Sequence, residues 1–346
     1  MSTPRHVLQS LLYPSVTAAR ASVDYAQDGG GNLERIGYNA MLYWAVGLRP
    51  SKDGFWTTGP TQPNDEGGYA PRQTDRHPNP ELHAIVATWS MGPVGIADRV
   101  NATDIEMMQR TCNSNGTLLQ PSRPIATTDA AFGKRHGNEG QSMHQGHVWR
   151  TLAAISGGSG GQNVWHFFLG WNLGTAYTVD YSDFAPAPGG SPAPQTQPFF
   201  YRGFDWSKCR DGDLVTATDK PTNGSCVGFW GAGLWGKGPV LTGWGTNVTA
   251  KNGTIRHEVL SLSPVLSNGF AVIGETSKYT AVSPNRFAAI RPAPQSGQLA
   301  LDVAGAAGES VSFVVLAPQS GVQWKVKVIV ANFTERETRT IHVGAE

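Results

Sequence analysis

The sequence predicts a mixed fold, α/β over its first third and all-β thereafter: consecutive βα units followed by an antiparallel β-sandwich. Three observations carry this expectation. Strand-like and helix-like runs alternate over residues 1–120, the order of a parallel sheet with crossover helices. From about residue 121 helical periodicity stops, and short runs cut by Gly, Pro, Asn and Asp take over, as in a sandwich. The 42 Gly, 23 Pro and 11 Trp among 346 residues suit a loop-rich, strand-heavy protein.

Taken in order, His6–Leu12 reads as the end of a helix stopped before Pro14, and Val16–Arg20 as a short strand. Leu33–Leu48 reads as a helix with Ile36, Ala40, Tyr43 and Val46 on one face, and Gly54–Thr58 as the next strand. Asn79-Pro80 opens a second helix with a capping residue and a proline at its first position, and Leu82, Ile85, Val86 and Trp89 form its apolar stripe. Val94–Ala97 reads as a buried strand, and Thr103-Asp104-Ile105-Glu106 as a capping box opening another helix. Three βα units result. Beyond them, Val322–Val328 alternates apolar and polar residues with a period of two, as a strand with one buried face requires. Asn163–Trp171, Cys226–Leu234, His257–Leu262, Gly269–Gly274 and Ser310–Leu316 read as further strands. Two domains are expected, 1–120 and 121–346, with a flexible Pro/Gly loop at 184–198.

Charged residues make up 15% and the net charge is +1, so nothing points to nucleic acid or an anionic membrane as a partner. No apolar run reaches the roughly 20 residues of a membrane span. Six N-x-[ST] sequons, at Asn101, Asn115, Asn223, Asn247, Asn252 and Asn332, lean towards a secreted or lysosomal/vacuolar glycoprotein. The first residues show no signal peptide. Cys209 and Cys226 flank a polar stretch and are spaced to bridge a hairpin, leaving Cys112 free.

Working side chains of βα enzymes gather where strands end. Asp24 follows the first strand of this chain, Asp98 follows the third, and Phe55-Trp56 falls in the second. Glycosidic cleavage uses two carboxyl groups, one to protonate the leaving oxygen and one to attack or activate water. Arg20, four residues before Asp24, suits sugar hydroxyls or an opposing carboxylate; an R-x-x-x-D match alone reads as a surface ion pair. His257-Glu258 lacks a second His at 261, so the zinc-protease pattern fails. His136, His144 and His147 read as solvated loop histidines rather than metal ligands, and Gly157–Gly161 lacks the Lys and helix of a phosphate loop. No metal or cofactor is implied.

PRHVLQSLLYPSVTAARASVDY, LYWAVGLRPSKDGFW, ELHAIVATWSMGPVGIADRV and MMQRTCNSNGTLLQPSRPIAT, taken in this order and spacing, resemble the end of the catalytic barrel in glycoside hydrolase clan D. The likeness is to its α-galactosidase and raffinose synthase group. HEVLSLSPVLSNGFAVIGETSKYTAVSPNRF resembles the C-terminal β-sandwich of the same group. The resemblance implies a partial (β/α)8 TIM barrel, its last three βα units, in front of the sandwich. It implies a retaining mechanism with Asp24 as general acid/base. Substrate binding falls to Arg20, Trp56 and Asp98, and the nucleophilic Asp lies on chain upstream of these residues.

The expected function is therefore action on an α-galactoside or related oligosaccharide. A galactosyltransferase of the raffinose-synthase type and a non-catalytic carbohydrate-binding or structural remnant are the alternatives. An incomplete barrel is expected to expose apolar surface and to favour self-association.

Overall fold

The computed structural model describes residues 4–22, 33, 35–58, 79–136, 146–158, 160–184, 198–202, 210–216, 227–230, 238–242, 256–293 and 297–345. The chain opens with α1 (Pro4–Leu12), β1 (Ala18–Arg20), α2 (Ile36–Ala45), β2 (Arg49–Ser51), α3 (Pro80–Ser90) and α4 (Ile105–Gln109). β1 and β2 pair in parallel, with Ala18 opposite Arg49 and Arg20 opposite Ser51. Beyond β2, Phe55 and Ile96 form a parallel bridge. Gly92 N–H donates to Pro50 O at 2.9 Å, and Ala97 N–H to Phe55 O at 2.9 Å. Three segments thus lie side by side with a helix between each pair, and among the described residues they close no barrel.

The second strand lies earlier than its sequence suggests, at Arg49–Ser51 rather than Gly54–Thr58. Gly47 sits at φ +82, a conformation glycine adopts without Cβ strain, so α2 stops abruptly and the chain pairs with β1 at once. The third segment is a single bridge at Ile96, not a strand over Val94–Ala97. The α4 cap is also shifted: Asp104 Oδ1, rather than the Thr103 hydroxyl, accepts from Met107 N–H at 2.9 Å. The α3 signals hold. Asn79 Oδ1 accepts from Leu82 N–H at 3.0 Å, and Leu82, Ile85, Val86 and Trp89 are fully buried.

The remaining chain is mostly strand. β3 (Ala126–Thr127) leads into α5 (Asp129–His136), a helix where none is expected from the sequence. Then come β4 (His147–Gly158), β5 (Gly161–Trp171), β6 (Tyr177–Thr178), β7 (Phe199–Arg202), β8 (Leu214–Thr216), β9 (Gly228–Trp230) and β10 (Val240–Leu241). β11 (His257–Pro264), β12 (Ala271–Gly274), β13 (Phe287–Pro292) and β14 (Gln298–Gly305) follow, then β15 (Ser310–Pro318), β16 (Gln323–Asn332) and β17 (Glu337–Gly344). Nine strands form one sheet in the order β17-β14-β13-β4-β5-β11-β7-β9, with β3 alongside β4; β12-β15-β16-β8 form a second sheet. The pairing is not antiparallel throughout, because β13 meets β4 in parallel at Ala289 and Ser156.

The two sheets are tied at several points. Trp165 Nε1 on β5 donates to Val272 O on β12 at 2.7 Å, and Phe287 meets Phe313 edge-on at 5.6 Å. The large sheet is covered on both faces. Trp149, Trp165, Phe167 and Leu169 point into a core shared with α3 and the small sheet, while Val148, Phe168, Leu260 and Leu262 pack on Leu173, Val179, Phe184 and Trp230. The core is continuous across the expected boundary at 120: Trp89 of α3 and Phe167 of β5 lie 5.8 Å apart, centroid to centroid. The helix-bearing and sheet-bearing parts therefore share buried surface.

Candidate functional site

Parallel pairing brings the ends of β1, β2 and the Ile96 segment to one place, and the polar residues that follow each end interlock. The β1–β2 ladder runs one residue further through Ala21 N–H to Ser51 O, at 2.7 Å. Ser22, nearly fully buried, accepts from Asp53 N–H through its hydroxyl at 2.8 Å. The Asp53 carboxylate meets Arg20 Nη1 at 3.1 Å. Both partners are about one-third exposed (36% and 29%), so the pair contributes only about 0–1 kcal/mol to stability. Its main effect is to fix the guanidinium over the strand ends.

Lys52 is buried, at 2% exposure. Desolvation is the main cause that lowers its amine to about pKa 7, with Asp53 opposing the shift. Its Nζ donates to Asp53 O at 2.7 Å and lies 4.6 Å from the centre of the Phe55 ring, a cation–π distance. Phe55 in turn stacks on His83 of α3 at 6.1 Å. Burying an ammonium costs several kcal/mol before any pairing, so packing alone would favour an apolar residue here.

Asp98 is held from two directions. Thr57 N–H donates to its Oδ1 at 2.8 Å, and the Thr57 hydroxyl donates to its Oδ2 at 2.5 Å. The same hydroxyl accepts from Asp104 N–H at 2.7 Å, so the cap of α4 and the Asp98 carboxylate share one threonine. Short bonds to an ionised oxygen are about twice as strong as neutral ones; they keep Asp98 as an oriented acceptor. Trp56, between Phe55 and Thr57, is half-buried and packs against the main core.

Of the residues singled out from sequence, Arg20 is the last residue of β1, and Trp56 and Asp98 closely follow the Phe55–Ile96 bridge between the neighbouring parallel segments. Trp56 lies in the stretch after β2 rather than within a strand. Asp24 lies outside the described residues, as do Cys209, Cys226 and residues 185–197 of the Pro/Gly stretch. The sequence pattern singles out none of Ser22, Lys52, Asp53 and Thr57. Lys52 and Asp53 directly follow β2, but the sequence pattern places that strand at Gly54–Thr58, so their position carries no signal. His147 is not a loop residue but sits in β4, buried and stacked on Trp171 at 4.2 Å, and no group of three or more His, Cys, Asp or Glu is placed to hold a metal among the described residues. Compared with known proteins, the chain matches no family model and no curated sequence.

Proposed function

We propose that the cluster Arg20, Asp53, Trp56 and Asp98 is the sugar-binding rim of a glycoside hydrolase-like protein acting on α-galactosides. The observation that supports it most is the convergence of charged and hydroxyl side chains at the ends of three parallel segments, where βα enzymes build their sites. On this reading the segments are the last three βα units of a (β/α)8 barrel. Arg20 and the two carboxylates supply donors and acceptors for sugar hydroxyls, Trp56 supplies apolar surface for a ring, and buried Lys52 supports the rim from beneath through Asp53 O. Asp24 protonates the leaving oxygen, and a second carboxylate forms the glycosyl intermediate with retention.

One observation favours the non-catalytic alternative. Arg20 and Asp98 already have protein partners at 3.1 and 2.5 Å, an arrangement that serves binding without turnover equally well. A galactosyltransferase would use the same rim with a sugar hydroxyl in place of water. The β1 edge supports a tendency to self-associate: β2 is its one neighbour among the described strands, and Leu8, Leu11, Leu12 and Tyr13 beside it are exposed. The sequons support a secretory route.

The test is titration of the chain with an aryl α-galactoside, followed by an assay for aryl release. Saturable binding that weakens about tenfold in Asp53→Ala, one lost charge-assisted contact, is the expected result. Aryl release abolished by Asp24→Asn would identify the acid/base. Binding that is absent, or indifferent to Asp53→Ala and Arg20→Ala, would remove the sugar site.

A further inference from the structure

Cys112 and Leu118 form an antiparallel bridge whose connecting turn carries the sequon Asn115-Gly116-Thr117. Gly116 takes φ +85, and the turn closes through Asn113 N–H to Thr117 O at 3.0 Å. Thr117 donates to Asn115 Oδ1 twice, from its N–H at 3.1 Å and from its hydroxyl at 2.8 Å. Both bonds fall on the carboxamide oxygen. Asn115 is exposed, and its Nδ2 has no hydrogen-bond partner among the described residues.

Beside this turn lies a cleft of about 330 Å³, lined by Asn113, Asn115, Thr117, Asn285, Arg336 and Glu337 with the Ala304–Gly305 backbone. Small-ligand sites start at about 300 Å³ and are mostly apolar, with a few polar groups. This one presents amides, a hydroxyl, a guanidinium and a carboxylate, which match the hydroxyls and acetamido group of a sugar. Asn101 and Asn332 are also exposed, but neither lines this cleft.

We propose that Asn115 is an N-glycan acceptor and that the adjoining cleft beds the first sugars of its own glycan. The donor is a lipid-pyrophosphate-linked oligosaccharide. Asn115 Nδ2 loses a proton and forms a bond to the anomeric carbon, the carbon–oxygen bond to the pyrophosphate breaks, and the lipid pyrophosphate departs with its electron pair. No redox partner is needed. The placement follows from exposure: a glycan at this turn meets solvent on one side and polar protein surface on the other, so the modified chain folds unchanged. Arg336, exposed and lining the cleft, donates to sugar oxygens. The inference is independent of the sugar-cleaving reading above and depends only on passage through a secretory compartment.

The experiment is secretion of the full chain from a eukaryotic host, treatment with peptide-N-glycosidase in ¹⁸O-water, and tryptic mass spectrometry. The peptide spanning 111–134 contains Asn115 as its single sequon, and it should carry the labelled aspartate. Thr117→Ser should retain the label, while Thr117→Ala and Asn115→Gln should lose it. Peptide 111–134 unlabelled in secreted chain overturns the acceptor, whether or not Asn101 and Asn332 are labelled. The bed is read separately, from the rate at which an endoglycosidase trims the native protein. Arg336→Ala should speed trimming at Asn115 about tenfold, the factor set by one charge-assisted hydrogen bond. Equal rates in the two proteins overturn the bed and leave Asn115 as a plain surface acceptor.

Discussion

β1 and β2 are three residues long each, and the rim they carry is tied by side-chain bonds such as Ser22 to Asp53 and Thr57 to Asp98. β4 and β5 run for 12 and 11 residues, in register from His147 opposite Trp171 to Ser156 opposite Gln162, with a shift only before Gly158 opposite Gly161, and are buried on both faces by aromatic side chains. The contrast separates two ways of holding a polypeptide. The sheet region relies on ladders and apolar area, at about 25 cal/mol per Å² removed from water. The rim relies on a few oriented polar contacts, which contribute little net stability and hold groups in chemically useful positions. A site can be thin because its neighbour is thick.

The comparison can be broken most forcefully in the sheet region. Arg286, 1% exposed, bridges Glu275 at 2.9 Å and Glu309 at 2.6 Å. Arg286→Leu strands two buried carboxylates and should cost about 3–5 kcal/mol, measured by urea denaturation. If the loss is under about 1 kcal/mol, the triad is not what ties β12, β13 and the β14–β15 turn together. Next comes the joint between the regions. A Cβ at Gly37 in α2 would lie 2.4 Å from Trp149 Nε1, and Trp149 is fully buried. Gly37→Ala should cost about 1–3 kcal/mol by overpacking, and a neutral result would mean that α2 shifts freely on the sheet. Within the rim, Thr57→Val removes both bonds of a buried hydroxyl and should cost about 1–2 kcal/mol. Its larger expected effect is on ligand binding, so unchanged binding would detach Asp98 from the site.

The last test distinguishes the regions by pH, and its effect near neutrality is the smallest. Lys52 is lowered to about 7 from 10.5, so between those values the unfolded chain binds a proton that the folded chain has released. Stability from this group therefore rises with pH across 7 to 10.5. His166, fully buried with both ring nitrogens lacking hydrogen-bond partners among the described residues, is lowered to about 3 by burial, helped by Arg150. Its contribution is present above 6.5 and is lost as pH falls from 6.5 towards 3. Melting temperature against pH should flatten on the alkaline side in Lys52→Met and on the acid side in His166→Leu. Flattening of both limbs by either variant would mean that the two groups do not report on separate regions.

What was legible in the sequence follows the same division. The α3 helix could be read because its signals are local: Asn79 caps, Pro80 starts, and the four stripe residues all reach the core. β16 could be read because Val326 is buried beside half-exposed Lys325 and Lys327. β4 went unseen because both its faces are covered, Val148 on one side and Trp149 on the other, and burial on two faces erases alternation. β2 was placed too late because Pro50 argues against a strand, although its carbonyl still accepts from Gly92. In the rim, Arg20 and Asp98 could be located by their positions after strand-like runs. Lys52 could not, since its burial depends on Phe55 and the surrounding fold rather than on any residue pattern. The link from Thr57 to both Asp98 and Asp104 spans 41 and 47 residues, a separation no local motif encodes.

The continuous core has a practical corollary for fragments. Eight of the 11 residues of α3 are buried, and Trp89 reaches Phe167 across the point where a domain boundary was expected. A protease that nicks the exposed turn at Asn115 would cut one covalent link and little of the buried surface. The two pieces should stay together through gel filtration and part only in denaturant. Expressed separately and mixed, they should complement one another, whereas a chain of two independent modules would yield two particles.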